Sequence, residues 1–259
     1  MFTIEDIYRP RDVGEAYRLL TEKKDSVLLG GCAFLRLGSR RIAAAIDLAG
    51  AGLDYIAERD GFVELGAMAT FRMVETHPAL AANFGGLLPQ AVGNVLGVQF
   101  RHTATVGATV FSKYGFSDLI TPLLALDTEV ELYQGGRMPL AVFLDTPPSR
   151  DILTRVLVRK DGRRAAYQSL RGSAADFPIV NAAVSRIGGK WTVVVGARPQ
   201  RAQIALAASA ALDGGADPTA AAALAAGELA FGGNAKASAE YRRAMAAVLV
   251  KRAIREVLG

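Results

Sequence analysis

The chain has 259 residues and a formal net charge of +5, and 51% of its residues are hydrophobic while 21% are charged. These values are typical of a globular protein, exclude a disordered chain, and predict two domains of ordinary size. The basic residues form scattered pairs, such as Arg163–Arg164, without a long basic run. The composition therefore argues against nucleic-acid binding.

Cysteine and histidine are too scarce to suggest a metal centre. The one cysteine, Cys32, and the two histidines, His77 and His102, lie far apart in the sequence. They exclude a disulfide framework within the chain and give no ligand pattern for zinc or an iron–sulfur cluster. The N-terminus lacks the pattern of a signal peptide, and every apolar stretch is broken before membrane-spanning length. We therefore expect a soluble, cytoplasmic protein without a membrane span.

The first half of the chain predicts short helices and strands in alternation. Asp12 is a candidate N-cap for a helix over residues 15–20, and Gly30–Gly31 follows a buried apolar strand at Val27–Leu29. A glycine pair at the carboxyl end of a strand is a position where α/β sheets bind ligands. The further predictions are strands at 43–47 and 62–67, helices at 70–75 and 88–95, and a hairpin over 129–140.

The second half predicts an antiparallel sheet followed by helices. The composition changes near Thr146–Ser149, and strands are predicted at 152–158, 165–170, 179–187 and 191–195. Gly188–Gly189 is a two-residue hairpin signal between the last two strands. Helices are predicted in the alanine-rich stretch 203–229 and over 238–258. The last helix has a predicted apolar face that packs on the sheet, formed by Tyr241, Met245, Val248, Leu249 and Ile254.

Two loops carry the chemical signal of this sequence. The run Gln99–Thr109 is rich in small and hydroxyl residues, and it leads to Asp118 at the start of an apolar helix. Such a turn can bring backbone N–H groups close to a phosphate, and an Asp beyond it can accept hydrogen bonds from sugar hydroxyls. The glycine loop at 29–35 can hold a pyrophosphate in the same way. Taken alone, the glycine loop at 29–35 is more typical of a plain tight turn after a strand, and the 99–109 run is equally a surface loop before a buried helix.

Other catalytic and nucleotide signatures are missing from the sequence. It contains no G-x-G-x-x-G, Walker A or G-x-S-x-G pattern, and no histidine is paired with a nucleophile. Cys32 is more typical of a small core thiol than of a nucleophile, and His102 is either exposed or at a ligand edge. We predict no catalytic residue and no metal ligand in this chain. An enzyme of this kind would depend on a cofactor for its chemistry.

The order of the motifs resembles the FAD-binding subunit of the molybdenum hydroxylases, the group of xanthine dehydrogenase and carbon monoxide dehydrogenase. The family's first loop reads approximately A-G-G-T-D-L and stands here as Leu29–Phe34; its second, Q-I-R-N-x-A-T-I-G-G-N, stands as Gln99–Thr109. An Asp and an apolar helix follow at Asp118 and Pro122–Asp127. Shorter matches extend over essentially the whole chain, at Tyr8–Pro10, Ile46–Leu48, Leu65–Ala67, Asp176–Pro178 and Ser238–Arg242.

The resemblance implies an α+β fold with two domains. Residues 1–148 would form an α/β flavin domain of the vanillyl-alcohol-oxidase (PCMH) type, with subdomains at roughly 1–57 and 58–148. Residues 149–259 would form a C-terminal domain of the carbon monoxide dehydrogenase flavoprotein type, with an antiparallel sheet and helices.

The resemblance also implies that the chain binds FAD. The first loop and Thr105–Thr109 would surround the pyrophosphate, with Ser112 and Asp118 near the adenosine, while Ile152–Leu153 and 169–176 would border the isoalloxazine. The implied cofactor contacts are Leu28, Leu29, Gly30, Gly31, Cys32, Ala33, Phe34, Leu35, Gln99, Thr105, Val106, Gly107, Ala108, Thr109, Ser112, Asp118, Ile152 and Asp176.

The partners implied by the resemblance are a molybdenum-cofactor subunit and an iron–sulfur subunit with two [2Fe-2S] clusters. In such a hetero-oligomer the electrons would pass through FAD in this chain to NAD or another acceptor, and the reducing substrate would bind to another subunit.

Some loop positions depart from the family pattern. In the first loop, the family's Thr-Asp pair is replaced by Cys32–Ala33 or Ala33–Phe34, depending on the alignment. In the second loop, the last two residues of the family's G-G-N are replaced by Ala108 and Thr109. A Lys that is common in the family before the Asp-aromatic pair is replaced by Ser169. If position 108 required a positive φ, an alanine there would be strained. An alternative function is therefore an assembly scaffold with a degenerate flavin site. A stand-alone flavin reductase, including a cell-wall precursor reductase, would need an active-site acid that no residue pattern supplies.

Overall fold

A computed structural model describes residues 2–259 of the chain. These residues form an α+β fold with two compact units that interleave along the sequence. The first unit contains the chain up to residue 74 together with residues 98–112 and 128–158; the second contains residues 75–97, 113–127 and 159–259. The domain limits at residues 148 and 149 stay a prediction.

A small parallel sheet begins the first unit. Its strands are β1 (Thr3–Tyr8), β2 (Ser26–Leu29) and β3 (Arg41–Asp47), in the order β1-β3-β2. Helix α1 (Val13–Glu22) lies between β1 and β2, and the Asp12 carboxylate accepts a 2.8 Å hydrogen bond from the Glu15 N–H. The predicted strands and the predicted N-cap are therefore confirmed. Short 3-10 helices follow at Leu35–Leu37 and Leu48–Gly50.

The core of this part of the first unit lies between α1 and β3. Ala16 and Leu20 of α1 pack with Ile46 of β3, and Leu48 and Ile152 complete the buried cluster. A helix that covers a parallel sheet buries an apolar stripe of its own against the β-branched side chains of the strands.

A second, five-stranded sheet also belongs to the first unit. Its strand order is β4-β5-β8-β6-β7, and its strands are β4 (Ile56–Arg59), β5 (Phe62–Gly66), β6 (Thr128–Leu132), β7 (Gly136–Pro139) and β8 (Leu153–Arg159). The β6–β7 hairpin is the one predicted from the sequence. The predicted strand over 152–158 was wrongly grouped with the C-terminal sheet, because β8 lies between β5 and β6.

Charged side chains support this placement of β8. Arg155 on β8 donates to the Glu64 carboxylate of β5 at 3.1 Å and to the Glu131 carboxylate of β6 at 2.8 Å. Glu64 is buried, and its pairing with a neighbouring strand compensates for the lost hydration of its charge. Strand pairing over this sequence distance is not visible in local periodicity.

Short helices connect the strands of both units. The predicted helices at 70–75 and 88–95 are confirmed within two residues. In chain order the short helices are α2 (Phe71–Thr76), α3 (Pro78–Ala82), a 3-10 turn at Phe84–Gly86, α4 (Leu87–Gly93), α5 (Val98–Thr103), α6 (Val106–Ser112), α7 (Ile120–Ala125) and α8 (Leu140–Asp145).

An antiparallel sheet and three helices form most of the second unit. The sheet has the order β12-β11-β10-β9, with β9 (Arg164–Arg171), β10 (Pro178–Ile187), β11 (Lys190–Gly196) and β12 (Gln203–Ile204). Gly188 and Gly189 have positive φ and connect β10 to β11, as predicted. The alanine-rich stretch divides at Gly214–Gly215 into α9 (Leu206–Asp213) and α10 (Pro218–Glu228), and α11 (Ala239–Leu258) follows.

The buried face of α11 differs from the predicted one. Leu249 and Ile254 are buried as expected, but Tyr241 is 47% and Val248 37% exposed. The helix instead buries small and aliphatic residues together with one arginine; these are Arg242, Ala246, Val250, Ala253 and Val257. The prediction was wrong because it counted large apolar side chains, whereas alanines let the helix approach the sheet closely.

Arg242 is the largest fully buried side chain of this face. Its guanidinium donates to the carbonyls of Ile179 and Ala197, the latter at 3.0 Å, and to Asn234 Oδ1 at 2.5 Å. It therefore connects α11 to the sheet and to the loop that precedes α11. Burial lowers the pKa of Arg242, since desolvation disfavours the charged form.

We expect Arg242→Met to lower the free energy of unfolding by about 3 kcal/mol, because buried acceptors lose their donor. Urea denaturation followed by circular dichroism measures this change. The control is Arg252→Met, which replaces an exposed arginine of the same helix. The control is expected to change the free energy of unfolding by less than about 0.5 kcal/mol. Equal effects of the two substitutions would contradict the role of Arg242 in connecting α11 to the sheet and to the preceding loop.

Candidate functional site

The first predicted loop leaves the carboxyl end of β2. Leu28 and Leu29 complete the strand, and the loop runs from Gly30 to the 3-10 turn that starts at Leu35. Cys32 has a φ of 56°, in the left-handed region, and its thiol donates to the Gly30 carbonyl at 3.1 Å. The loop thus turns sharply at the edge of a parallel sheet where such folds bind ligands.

The glycine pair allows the backbone of this loop to touch the second predicted loop. A Cβ on Gly31 would lie 1.8 Å from the Thr103 carbonyl oxygen. A Cβ on Gly30 would lie 2.9 Å from both Ala108 Cβ and Thr105 Oγ1. The structure therefore brings the two predicted loops together. The glycines are needed for this close approach, which a simple tight turn would not require.

The second segment is helical and does not form the extended turn expected from its small residues. Helices α5 and α6 cover most of residues 98–112, and only Ala104–Thr105 separates them. Ala108 lies inside α6 with right-handed backbone, so the strain considered for this position does not arise. A Cβ on Gly107 would lie 2.6 Å from Ala67 Cβ, so this glycine permits the close contact between α6 and the segment after β5.

The backbone donors of the second segment already have protein acceptors. The Val106 and Gly107 N–H groups donate to the Ala69 and Ala67 carbonyls at 2.9 and 2.8 Å. The Ala108 N–H approaches Thr105 Oγ1 at 3.4 Å, and the Thr109 hydroxyl donates to the Thr105 carbonyl at 2.9 Å. The expectation that these N–H groups point at a phosphate is therefore corrected. These N–H groups instead form hydrogen bonds within the protein that hold the connection between α5 and α6 against residues 67–69.

The first loop retains donors for an anion. Across residues 2–259, the N–H groups of Gly31, Cys32 and Ala33 donate to no protein acceptor. All three residues are half-buried, and successive N–H groups in such a turn form a concavity that suits an anion. The donor set of the first loop fits a pyrophosphate, with the Thr103–Ala108 backbone supporting it from behind.

Cys32 is not the core thiol that the sequence predicted. The residue is half-buried within the loop, because Gly30–Gly31 places it beyond the end of the strand and outside the core. Burial, together with the neighbouring Asp47 carboxylate, raises the pKa of the Cys32 thiol. The thiol therefore stays protonated at neutral pH, which disfavours a nucleophilic role.

The other predicted residues of the first unit are spread over different environments. Gln99 on α5 and Ser112 at the end of α6 are exposed, and His102 is exposed as expected. Ala33 and Phe34 are half-buried. Ile152 is fully buried in the core beside α1, so its side chain has a packing role, and its contact with a flavin stays a prediction.

Asp118 lies in the second unit, where it accepts two short hydrogen bonds. Its Oδ1 accepts from the Tyr167 hydroxyl and from Arg171 Nη2, both at 2.5 Å. Asn181 Nδ2 donates to the Tyr167 oxygen at 3.1 Å. Burial raises the pKa of Asp118, and the charge of Arg171 opposes this rise.

Asp176, the other predicted residue of the second unit, is connected to Asp118 through Arg171. Arg171 Nη1 donates to the Asp176 carbonyl at 2.6 Å, while the Asp176 carboxylate accepts from the Phe177 N–H at 2.9 Å and pairs with Lys236. Sequence reasoning included Arg171 only within the stretch 169–176 and assigned it no role of its own, and it missed Tyr167. The two-residue period of β9 places positions 167, 169 and 171 on one face, which is the signal that could have found them.

Comparison with known proteins decides the family. The model of the FAD binding domain in molybdopterin dehydrogenase matches residues 2–160, and that of the CO dehydrogenase flavoprotein C-terminal domain matches residues 165–257. The chain belongs to the molybdopterin dehydrogenase FAD-binding family. The predicted resemblance, the α+β fold class and an FAD-binding domain in this chain are thereby confirmed.

Individual relatives agree with this family. The nicotinate dehydrogenase FAD-subunit of Eubacterium barkeri is 26% identical over 73% of this chain and 69% of its own. The uncharacterized protein YgfM of Escherichia coli is 28% identical over 70% of each chain. A structure of carbon monoxide dehydrogenase from Hydrogenophaga pseudoflava superposes with a TM-score of 0.89 at 25% identity, covering 99% of this chain and 98% of that one.

Neither a metal-binding group of side chains nor a membrane-spanning helix occurs in the part of the chain that the structure describes. Residues 2–259 contain no group of three or more His, Cys, Asp or Glu side chains that could hold a metal ion. In the same residues, no helix is long and apolar enough to cross a membrane.

We expect Gly31→Ala to destabilise the protein by roughly 3 kcal/mol, because its Cβ would overlap the Thr103 carbonyl and the backbone would have to move. The unfolding midpoint in urea measures the loss. Gly227→Ala is the matched control, since nothing lies within 4 Å of a Cβ at this position in α10. The control is expected to be neutral or about 1 kcal/mol more stable; a Gly31 variant as stable as the control would refute the close contact.

Proposed function

We propose that the chain is the FAD-binding electron-transfer subunit of a multi-subunit molybdenum hydroxylase. The observation that carries this proposal is the pairing of the Gly30–Gly31 loop with the Thr103–Ala108 segment, which leaves consecutive N–H donors at residues 31–33. Family membership supplies the identity of the anion, the FAD pyrophosphate. When bound, FAD supplies a carrier able to exchange both single electrons and electron pairs.

In this proposal the first unit binds the diphosphate mainly through its backbone. The N–H groups of Gly31, Cys32 and Ala33 donate to phosphate oxygens, and Thr105 and Ala108 support the glycine pair. Leu28–Leu35, Gln99, Thr105–Thr109, Ser112 and Ile152 are the proposed contacts of this unit; Asp118 and Asp176 are those of the second. Because a backbone site depends little on side-chain identity, the changes at Cys32, Ala33 and Thr109 are compatible with binding.

The partners proposed for this chain are an iron–sulfur subunit and a molybdenum-cofactor subunit. Relatives described as a nicotinate dehydrogenase FAD-subunit and as carbon monoxide dehydrogenase support this assignment. Electrons would arrive from [2Fe-2S] clusters of a partner and leave to NAD or another acceptor.

We expect the purified chain, reconstituted with excess FAD and freed of unbound cofactor, to show flavin absorption bands with about one FAD per chain. Gly31→Ala is expected to lose the bands because the loop that carries the donors is displaced, while Gly227→Ala retains them. A wild-type chain without flavin bands would contradict the proposal and favour the scaffold with a degenerate site.

We expect a tagged chain isolated from its native cell to carry iron and molybdenum in addition to flavin, through its partner subunits. Metal analysis of the isolated complex, with a free-tag isolation as control, measures this association. Isolation of the flavin-loaded chain without either metal would contradict the proposed partners while leaving FAD binding intact.

A further inference from the structure

A cluster of four charged side chains lies in the second unit. Asp118 and Arg171 form its buried half, with side chains 4% and 10% exposed, and are joined at 2.5 Å. Asp176 and Lys236 form a more exposed ion pair beside them. The cluster contains two carboxylates and two cations, so its formal charges balance.

Within the described residues, Arg171 is the only member of this cluster whose side chain donates hydrogen bonds to both acidic segments. Its Nη2 donates to the Asp118 side chain, just before α7, and its Nη1 donates to the Asp176 carbonyl, between β9 and β10. The planar guanidinium presents these donors in a rigid fork, whereas a lysine ammonium at the same position has no such geometry.

We propose that Arg171 is a positioning residue for FAD binding, which holds the Asp118 side chain and the Asp176 segment in one arrangement. The inference rests on the proposed function, because Asp118 and Asp176 are the second unit's proposed cofactor contacts. Arg171 lies in the stretch 169–176 predicted to border the isoalloxazine but is not one of the named contacts. It acts through them, and its loss releases both segments at once.

The surroundings of Asp118 support a positioning role over a general contribution to stability. The groups that face its carboxylate are Tyr167 and Arg171 of β9 and Asn181 of β10. Tyr167 donates to the same Oδ1 atom as Arg171, so the carboxylate is oriented from one face of β9. Without Arg171, the Asp118 carboxylate keeps the neutral Tyr167 hydroxyl as a donor but loses its positively charged partner.

Arg163 offers a matched comparison in the same unit. Its side chain is also 10% exposed, and it pairs with Asp161 at 2.5 Å. It further contacts the Ala125 carbonyl and the Ser185 hydroxyl. Neither Arg163 nor Asp161 belongs to a proposed cofactor segment, so Arg163→Met removes a comparable buried ion pair without touching Asp118 or Asp176.

The test measures FAD affinity of the full-length apoprotein by fluorescence titration. We expect Arg171→Met to weaken binding about tenfold, Arg171→Lys to weaken it less, and Arg163→Met to leave it within about twofold of wild type. Arg171→Met binding as tightly as wild type would overturn the inference. An equal loss of FAD affinity in Arg163→Met would also overturn the inference, because the effect would then come from general destabilisation of the unit.

A pH series distinguishes the loss of the cation from a simple loss of packing. Removing Arg171 should raise the pKa of Asp118 further, because the charge that opposes the effect of burial is lost while the Tyr167 hydrogen bond remains. A carboxyl pKa that is raised in the folded state contributes stability that is present at low pH and is lost as pH rises from about 3.8 towards the folded-state pKa. Relative to wild type, Arg171→Met is therefore expected to lose more urea stability over this pH range, and Asp118→Asn/Arg171→Met should remove this excess loss; an excess that persists in the double variant overturns the assignment.

Two outcomes separate this inference from the proposed function. If wild type binds no FAD, the proposed function fails irrespective of Arg171. If wild type binds FAD and Arg171→Lys retains full affinity, only the positioning role fails. Should Arg171→Met not fold, Arg171→Lys decides the question through the same titration.

Discussion

The first unit depends on backbone contacts that leave no room for a Cβ. A Cβ on Gly66 would lie 2.2 Å from the Leu53 carbonyl, one on Gly107 2.6 Å from Ala67 Cβ, and one on Gly31 1.8 Å from the Thr103 carbonyl. These glycines follow one another through space from the end of β5, through the α5–α6 turn, to the loop after β2. The two sheets of this unit are thereby joined through backbone contacts, which larger residues would force apart.

This construction explains why the two glycine loops have different roles. The α5–α6 turn uses its N–H groups at Val106 and Gly107 to bond residues 67–69, so it is part of the scaffold. The loop after β2 rests on that scaffold, and the N–H groups of residues 31–33, which donate to no acceptor within the described residues, are the donors of the proposed ligand site. A site of this kind is determined by the positions of its glycines. Replacement of the family's Thr-Asp pair by Cys32–Ala33 therefore changes the side chains around the site more than its backbone N–H donors.

Local sequence signals predicted the elements well, because capping and periodicity are local. Asp12 before α1, the glycines of the β10–β11 hairpin and the apolar run of β2 each act within a few residues. The position of β8 beside β5 and the contact of Arg171 with Asp118 could not be predicted in this way, since they join residues more than fifty positions apart along the chain. The segment 99–109 was misjudged because Gly, Ala and Thr are common in turns but also fit short helices whose stability comes from tertiary packing.

The second unit combines an apolar core between its sheet and helices with long side chains that cross between elements. Arg242 and Arg198, both 2% exposed, donate chiefly to backbone carbonyls; Arg198 reaches the Ala230 carbonyl and, at 2.8 Å, that of Arg201. A guanidinium can satisfy several carbonyls at loop ends that no regular hydrogen-bond ladder reaches. Close packing around a glycine also occurs in this unit, where a Cβ on Gly196 would lie 2.1 Å from Thr121 Oγ1, so substitutions there are harmful both where they add atoms and where they remove a donor. Side-chain changes in the first loop are consequently poor indicators of lost cofactor binding, whereas loss of a buried arginine in the second unit would be a strong one.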